Sequence, residues 1–139
     1  MVKDTIKFEV EEKGIEFLIA KGYKDVNVLW ATGKRLDHTL NNFATLAKFK
    51  HQKIILYDDH SKVFVLPKRY KKVYNKGDAI SLIPINTVNE ITTNNLKYSL
   101  DNSTLSFGEK SGTSNEVLST GEVTISHSEG VLVLIESID

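Results

Sequence analysis

Hydrophobic and polar residues alternate along much of the chain, which predicts a β-rich protein. The alternation runs over residues 6–10, 15–19 and 26–30. Because successive side chains of a strand point to opposite faces, each of these segments is predicted to be a half-buried strand. Only short turns separate them, at Lys13-Gly14 and Lys21-Gly22. Short connections favour an antiparallel meander.

The hydrophobic period changes after residue 35. Leu36, Leu40, Phe43 and Ala47 recur at the spacing of one helix face, and Leu46 widens that stripe. This pattern predicts one amphipathic helix over about residues 36–50, packed on the sheet through the stripe.

The rest of the chain returns to strand patterns. Residues 53–57 and 62–66 are predicted to form a hairpin around the turn at 58–61. Further strands are predicted at 79–85, 88–92, 96–100, 104–107, 117–118, 122–127 and 131–138, with a polar loop at 109–116. The predicted fold class is α+β, mostly antiparallel β, with meander, sandwich or barrel-like sheets and one helix.

Charge divides the chain into two parts. Residues 1–76 contain sixteen Lys or Arg and nine Asp or Glu, a net charge of +7, whereas residues 77–139 contain two and nine, a net charge of −7. We therefore predict a basic α+β part at 1–76 and an acidic, all-β part at 77–139 that is rich in Ser, Thr and Asn. The two parts could also form one continuous domain.

Composition excludes several classes of protein. The apolar and charged fractions, 40% and 26%, are typical of a globular chain and not of a disordered one. The chain has no cysteine, which excludes disulfides and thiolate metal sites. The pattern predicts no signal peptide and no membrane span, so we expect cytoplasmic synthesis.

Motifs for catalysis are weak. Thr32-Gly33-Lys34 lies between a predicted strand and the predicted helix, where phosphates can bind, but a phosphate-binding loop needs more glycines. Asp58, Asp59 and His60 could ligate a metal, although a solvated hairpin tip explains them better. We therefore expect a protein that is not an enzyme, with no catalytic residue, no cofactor and no metal.

The densest chemical signal is a basic stretch at residues 68–76, which contains five cations and two tyrosines. We name as candidate partner-binding residues Lys68, Arg69, Tyr70, Lys71, Lys72, Tyr74 and Lys76. A partner protein, nucleic-acid phosphates with stacked bases, and an inert edge strand protected by lysines all fit this composition. Alternation would place the two tyrosines on one face of a strand and Arg69, Lys71 and Val73 on the other.

Residues 13–70 resemble a known family of domains. Trp30 follows two predicted strands, and a hairpin ends in Leu66-Pro67-Lys68-Arg69. This arrangement resembles bacterial pleckstrin-homology-like domains, and the resemblance implies a strand-rich barrel that serves as a binding scaffold. The predicted helix interrupts that pattern, and the closing helix of such domains is missing, so no function is transferred.

Two functions follow from these features. The first is a structural subunit, such as a capsid accessory or tail protein of a bacteriophage virion, that assembles through complementary basic and acidic surfaces. The second is a monomeric binding module, pleckstrin-homology-like or similar, that recognises an anionic partner through residues 68–76. Self-association or other protein subunits are the expected partners, with nucleic acid as a lesser alternative.

Overall fold

A computed structural model describes residues 4–7, 12–29, 36–110 and 112–137 of the chain. These residues form two compact units, the first ending at Val65 and the second covering Leu66–Ser137.

The first unit alternates strands and helices. Its elements are β1 (Asp4–Lys7), α1 (Glu12–Ala20), β2 (Asp25–Leu29), α2 (Leu36–Lys48), β3 (Lys53–Tyr57) and β4 (Ser61–Val65). The strand order is β1-β2-β3-β4, with β1 and β2 parallel, β2 and β3 parallel, and β3 and β4 antiparallel. The predicted antiparallel meander is therefore wrong, because parallel neighbours need a crossover and α1 and α2 provide it.

Helix α1 replaces one predicted strand, at residues 15–19. Ile15 and Leu18 are buried whereas Phe17 is 60% exposed, so burial follows a helical and not an alternating period. The helix ends in a Schellman motif, in which the N–H of Tyr23 donates to the carbonyl of Leu18 and that of Gly22 to the carbonyl of Ile19. Gly22 has φ of +93°, a conformation that glycine adopts without steric cost.

The second helix, α2, confirms the predicted helix but not its buried face. Asn42, Thr45 and Leu46 are buried, while Leu36 and Leu40 are 77% and 67% exposed. Only the Leu46 side of the predicted stripe therefore packs on the sheet. The prediction of a single helix is also wrong, since α1 is a second one.

The hairpin of β3 and β4 confirms the turn predicted at residues 58–61. Asp58 donates its N–H to the carbonyl of Ser61 and accepts, on its carboxylate, the N–H of His60. The two parallel pairings and two helices rule out the barrel that the pleckstrin-homology-like resemblance implied. Trp30, which carried part of that resemblance, lies outside the described residues.

The second unit contains only strands. They are β5 (Arg69–Tyr74), β6 (Ala79–Ile85), β7 (Thr87–Asn94), β8 (Ser103–Ser106), β9 (Gly112–Glu116), β10 (Gly121–Ser126) and β11 (Val131–Ser137). Within this unit one sheet has the order β11-β6-β9 and the other the order β5-β10-β7-β8, with antiparallel neighbours throughout. Buried aliphatic side chains from both sheets form its core, among them Ile80, Leu82, Val88, Leu105, Val123 and Leu134.

Two segments of this unit differ from prediction. Residues 96–100, predicted as a strand, make a single bridge, between Leu96 and Val117. Residues 112–116, predicted as part of a loop, form β9 at the edge of a sheet. The composition of residues 112–116 hides the pairing of β9, because this segment contains no aliphatic or aromatic side chain that would mark a strand.

No helix within the described ranges is long and apolar enough to cross a membrane.

Candidate functional site

The basic stretch at residues 68–76 lies in the second unit and contains β5, an edge strand that pairs with β10. The alternation predicted for it is present. Tyr74 is buried and Tyr70 half-buried, while Arg69, Lys71 and Val73 are exposed. The stretch therefore presents cations on its open face and directs its tyrosines inward.

The inward face of β5 holds a polar cluster. The hydroxyl oxygens of Tyr70 and Tyr74 are 2.8 Å apart, and Lys72 donates to Glu136 at 2.8 Å while lying 5.0 Å from the centre of the Tyr74 ring. Burial, reinforced by the bond to Tyr70 and the charge of Glu136, raises the pKa of Tyr74 above that of free tyrosine. Burial also raises the pKa of Tyr70. Both tyrosines are therefore neutral hydrogen-bonding groups near neutral pH.

Ion pairs connect the basic stretch with the end of the same unit. Lys68 pairs with Glu129 and Lys72 with Glu136. The second unit as a whole, residues 66–137, has seven Lys or Arg and eight Asp or Glu, so its net charge is −1. Opposite charges thus meet inside one chain, and the charge asymmetry of the sequence gives no support to assembly through oppositely charged surfaces.

A second candidate site surrounds Tyr98, whose side chain is 59% exposed. The buried side chain of Asn115 accepts the N–H of Tyr98 at 2.9 Å and donates to its carbonyl at 2.9 Å, so it takes the place of a neighbouring strand. The same Asn115 oxygen accepts the N–H of Glu116 at 2.9 Å. The backbone of Tyr98 is therefore fixed while its aromatic ring faces solvent.

A β-bulge orients Asn115. Between its pairings with Ile80 and Leu82, β9 has one residue more than β6, and Ser114 has φ of +58° there. The N–H of Ser114 donates to the hydroxyl of Ser81 at 3.0 Å, which holds the bulge closed. Bulges often redirect a side chain beside a functional site, and this one turns the amide of Asn115 toward Tyr98.

No periodic pattern in the sequence predicts the candidate site around Tyr98. Asn115 sits in a run of Ser, Thr and Asn that gives no periodic signal, and its role depends on a partner seventeen residues away. The one available signal was Tyr98 itself, since it is one of only two aromatic residues after residue 76.

Of the two weaker motifs, only the one at residues 58–60 lies among the described residues. Thr32-Gly33-Lys34 lies outside the described residues. Asp58 and His60 form the hairpin turn at the end of β3, where the Asp58 carboxylate accepts the N–H of His60. Within the described parts of the chain, no group of three or more His, Cys, Asp or Glu side chains is placed to hold a metal ion.

Comparison with known proteins identifies an enzyme family. Residues 11–57 match the family model of the thiamin pyrophosphokinase catalytic domain, and residues 65–132 match that of the vitamin B1 binding domain of the same enzyme. Thiamine pyrophosphokinase 1 of rice (Oryza sativa subsp. japonica) is 34% identical over 96 residues, which are 65% of this chain and 36% of the rice protein.

Bacterial relatives match over more of the chain. Thiamine pyrophosphokinase of Bacillus subtilis is 30% identical over 131 residues, which are 90% of this chain and 60% of the relative. The crystal structure of thiamin pyrophosphokinase from Geobacillus thermodenitrificans has a TM-score of 0.80 and 32% identity, and the match covers 91% of this chain and 60% of that one. The chain therefore spans between about a third and three fifths of the length of these relatives.

These matches correct the predicted function. The prediction of a bacteriophage virion subunit is wrong, and so is the prediction of a protein that is not an enzyme, because both domain models and the relatives named above are those of an enzyme. Partner binding by the basic stretch and self-association stay predictions.

Proposed function

We propose that this chain, a member of the thiamin pyrophosphokinase family by its matches to both domain models, binds thiamin in its second unit with Tyr98 as a stacking platform. The vitamin B1 binding model covers residues 65–132, which include Tyr98 and Asn115. The first unit, which the catalytic model matches over residues 11–57, contributes to diphosphate transfer from ATP to thiamin.

The observation that carries the proposal is the exposed ring of Tyr98 on a backbone that Asn115 holds in place. Thiamin contains an aminopyrimidine ring and a positively charged thiazolium ring. Either ring can stack on a tyrosine face, and the cation gains further from the electron-rich surface of the aromatic ring. Because Asn115 holds the backbone of Tyr98 on both sides, little conformational freedom is lost when a ligand binds.

Lys97 determines which face of the Tyr98 ring is open to a ligand. Its ammonium lies 5.6 Å from the centre of the Tyr98 ring and covers one face of it. A thiazolium cation would be repelled by that ammonium, so we place thiamin on the face of the ring that Lys97 leaves open.

Calorimetric titration with thiamin tests this role. Tyr98→Ala removes a stacking contact of ~1–2 kcal/mol, so we expect the affinity to fall about tenfold, whereas Tyr98→Phe keeps the ring and most of the affinity. Phe107→Ala is the matched control, because Phe107 is 69% exposed in the same unit and its N–H donates to the carbonyl of Asn86 and not to Asn115. Equal losses in the two alanine variants would refute the proposal.

Catalysis is measured separately. The chain is incubated with thiamin and ATP, and thiamin diphosphate is quantified by chromatography. Product that depends on Tyr98 would support both parts of the proposal. Thiamin binding without product would confine the role of this chain to substrate binding.

A further inference from the structure

A groove lies on the four-stranded sheet of the second unit, and Tyr98 is not among its lining residues. Its volume is about 370 Å³, and it is lined by Arg69, Tyr70, Lys71, Thr124, Ile125 and Ser126. Ile125 is 1% exposed and faces the core. The groove therefore opens on the opposite face of β5 and β10, where Arg69, Lys71, Thr124 and Ser126 point.

The strand register brings two cations and two hydroxyls together. Arg69 pairs with Ser126 and Lys71 with Thr124. Directly opposed residues of antiparallel strands have Cβ atoms about 4.5–5.5 Å apart, and alternate residues of one strand lie roughly 7 Å apart. The four polar groups can therefore reach one ligand a few ångströms across.

The cations of the basic stretch fall into two groups, those that form ion pairs and those that do not. Lys68 and Lys72 are neutralised by Glu129 and Glu136. Arg69 and Lys71 have no carboxylate partner among the residues that the structure describes. On the groove side of β10, Glu122 lies opposite Val73 and not opposite either cation. Within the described ranges, neither of the two cations of the groove forms a direct ion pair with a carboxylate.

We propose that this groove binds the diphosphate group of a small molecule. Arginine forms paired hydrogen bonds with phosphate oxygens, lysine adds a second charge, and two hydroxyls can donate to the remaining oxygens. The volume lies in the range of small-molecule sites. A polyanion such as nucleic acid would need a longer basic track than three residues on each of two strands.

Titration of the full chain with inorganic pyrophosphate, followed by NMR, tests the site. Arg69→Gln with Lys71→Gln should weaken binding at least tenfold, since each lost charged hydrogen bond is worth about a factor of ten or more. The matched control is Lys76→Gln with Lys110→Gln, which removes the same net charge from the same unit outside the groove and should change affinity less than about twofold.

A second double variant distinguishes a specific binding site from general attraction between opposite charges. Thr124→Val with Ser126→Ala leaves the net charge unchanged, and it should still weaken pyrophosphate binding about threefold or more if the hydroxyls donate to the ligand. Equal weakening by the two glutamine pairs, or no pyrophosphate binding by the unaltered chain, would overturn the proposal. So would displacement of pyrophosphate from these residues by a short oligonucleotide at lower concentration.

This site goes beyond the proposed thiamin role and can fail independently of it. Tyr98→Ala should leave pyrophosphate binding unchanged, because Tyr98 is bonded to β9 in the other sheet of the unit. A loss of pyrophosphate binding in Tyr98→Ala would place the anion at Tyr98 and would overturn the proposal that the groove binds it.

Discussion

Replacing Asn115 with alanine should both destabilise the second unit and release Tyr98. The substitution removes three hydrogen bonds of 2.9 Å, two accepted from backbone N–H groups and one donated to a backbone carbonyl. An unsatisfied buried polar group costs ~1–3 kcal/mol, and the exposed side of Tyr98 lets water replace part of that loss. We therefore expect the free energy of unfolding to fall by ~2–4 kcal/mol.

Urea denaturation followed by circular dichroism measures that loss. A decrease of this size corresponds to a fall in Tm of roughly 5–15 °C for a chain of this length. Asn94→Ala is the control, because Asn94 is exposed on β7 and its removal should change stability by no more than ~0.5 kcal/mol. If Asn115→Ala behaves like this control, Asn115 does not replace a strand and the argument for a fixed Tyr98 fails.

The same variant distinguishes the positioning role of Asn115 from the contact that Tyr98 is proposed to make with thiamin. Asn115→Ala should lower thiamin affinity because the backbone that carries the Tyr98 ring is no longer held, whereas Tyr98→Ala should lower affinity with little change in stability. A loss of affinity in Tyr98→Ala that merely follows a loss of folding would contradict this division.

Two further predictions concern the same unit. Because the folded-state pKa of Tyr74 is raised, its contribution to stability is fully present below the unfolded pKa of ~10 and is lost as pH rises above it, by up to ~1.4 kcal/mol per pH unit. Urea unfolding between about pH 9 and pH 11 should show this slope, and Tyr74→Phe should reduce it. An unchanged slope in Tyr74→Phe would contradict the raised pKa. Gly130→Ala should cost ~1–3 kcal/mol of unfolding free energy, because Gly130 has φ of +127° and an added Cβ would lie 3.1 Å from the carbonyl oxygen of Thr87. Gly108→Ala should cost less, because Gly108 has φ of +84° with open space around it. Equal losses of unfolding free energy in the two variants would contradict the steric argument.

Local patterns predicted the elements that are long or that alternate without interruption. Helix α2 and strand β6 were predicted from residues 36–50 and 79–85, and their bounds are Leu36–Lys48 and Ala79–Ile85. Helix α1 was missed because Ile15, Phe17 and Ile19 alternate while Ile15, Leu18 and Ile19 also fit one helix face. In a segment of nine residues neither period outweighs the other.

Pairing and function could not be predicted in the same way. Whether β1, β2 and β3 run parallel depends on contacts between segments far apart in sequence, and short turns were the wrong guide to them. Residues 1–76 and 77–139 do differ in net charge, but opposite charges from the two parts pair within one chain. Lys68 pairs with Glu129, and Lys72 pairs with Glu136. The site at Tyr98 depends on an asparagine side chain in the place of a strand, for which composition carries no signal.

The order of strands in the second unit has a consequence for synthesis on the ribosome. Strand β10 lies between β5 and β7, and β6 is paired with β11. Neither sheet can close until residues 121–137 have left the exit tunnel, so β5 emerges long before its partner exists. During that interval the lysines of β5 protect its bare edge from pairing with strands of other nascent chains.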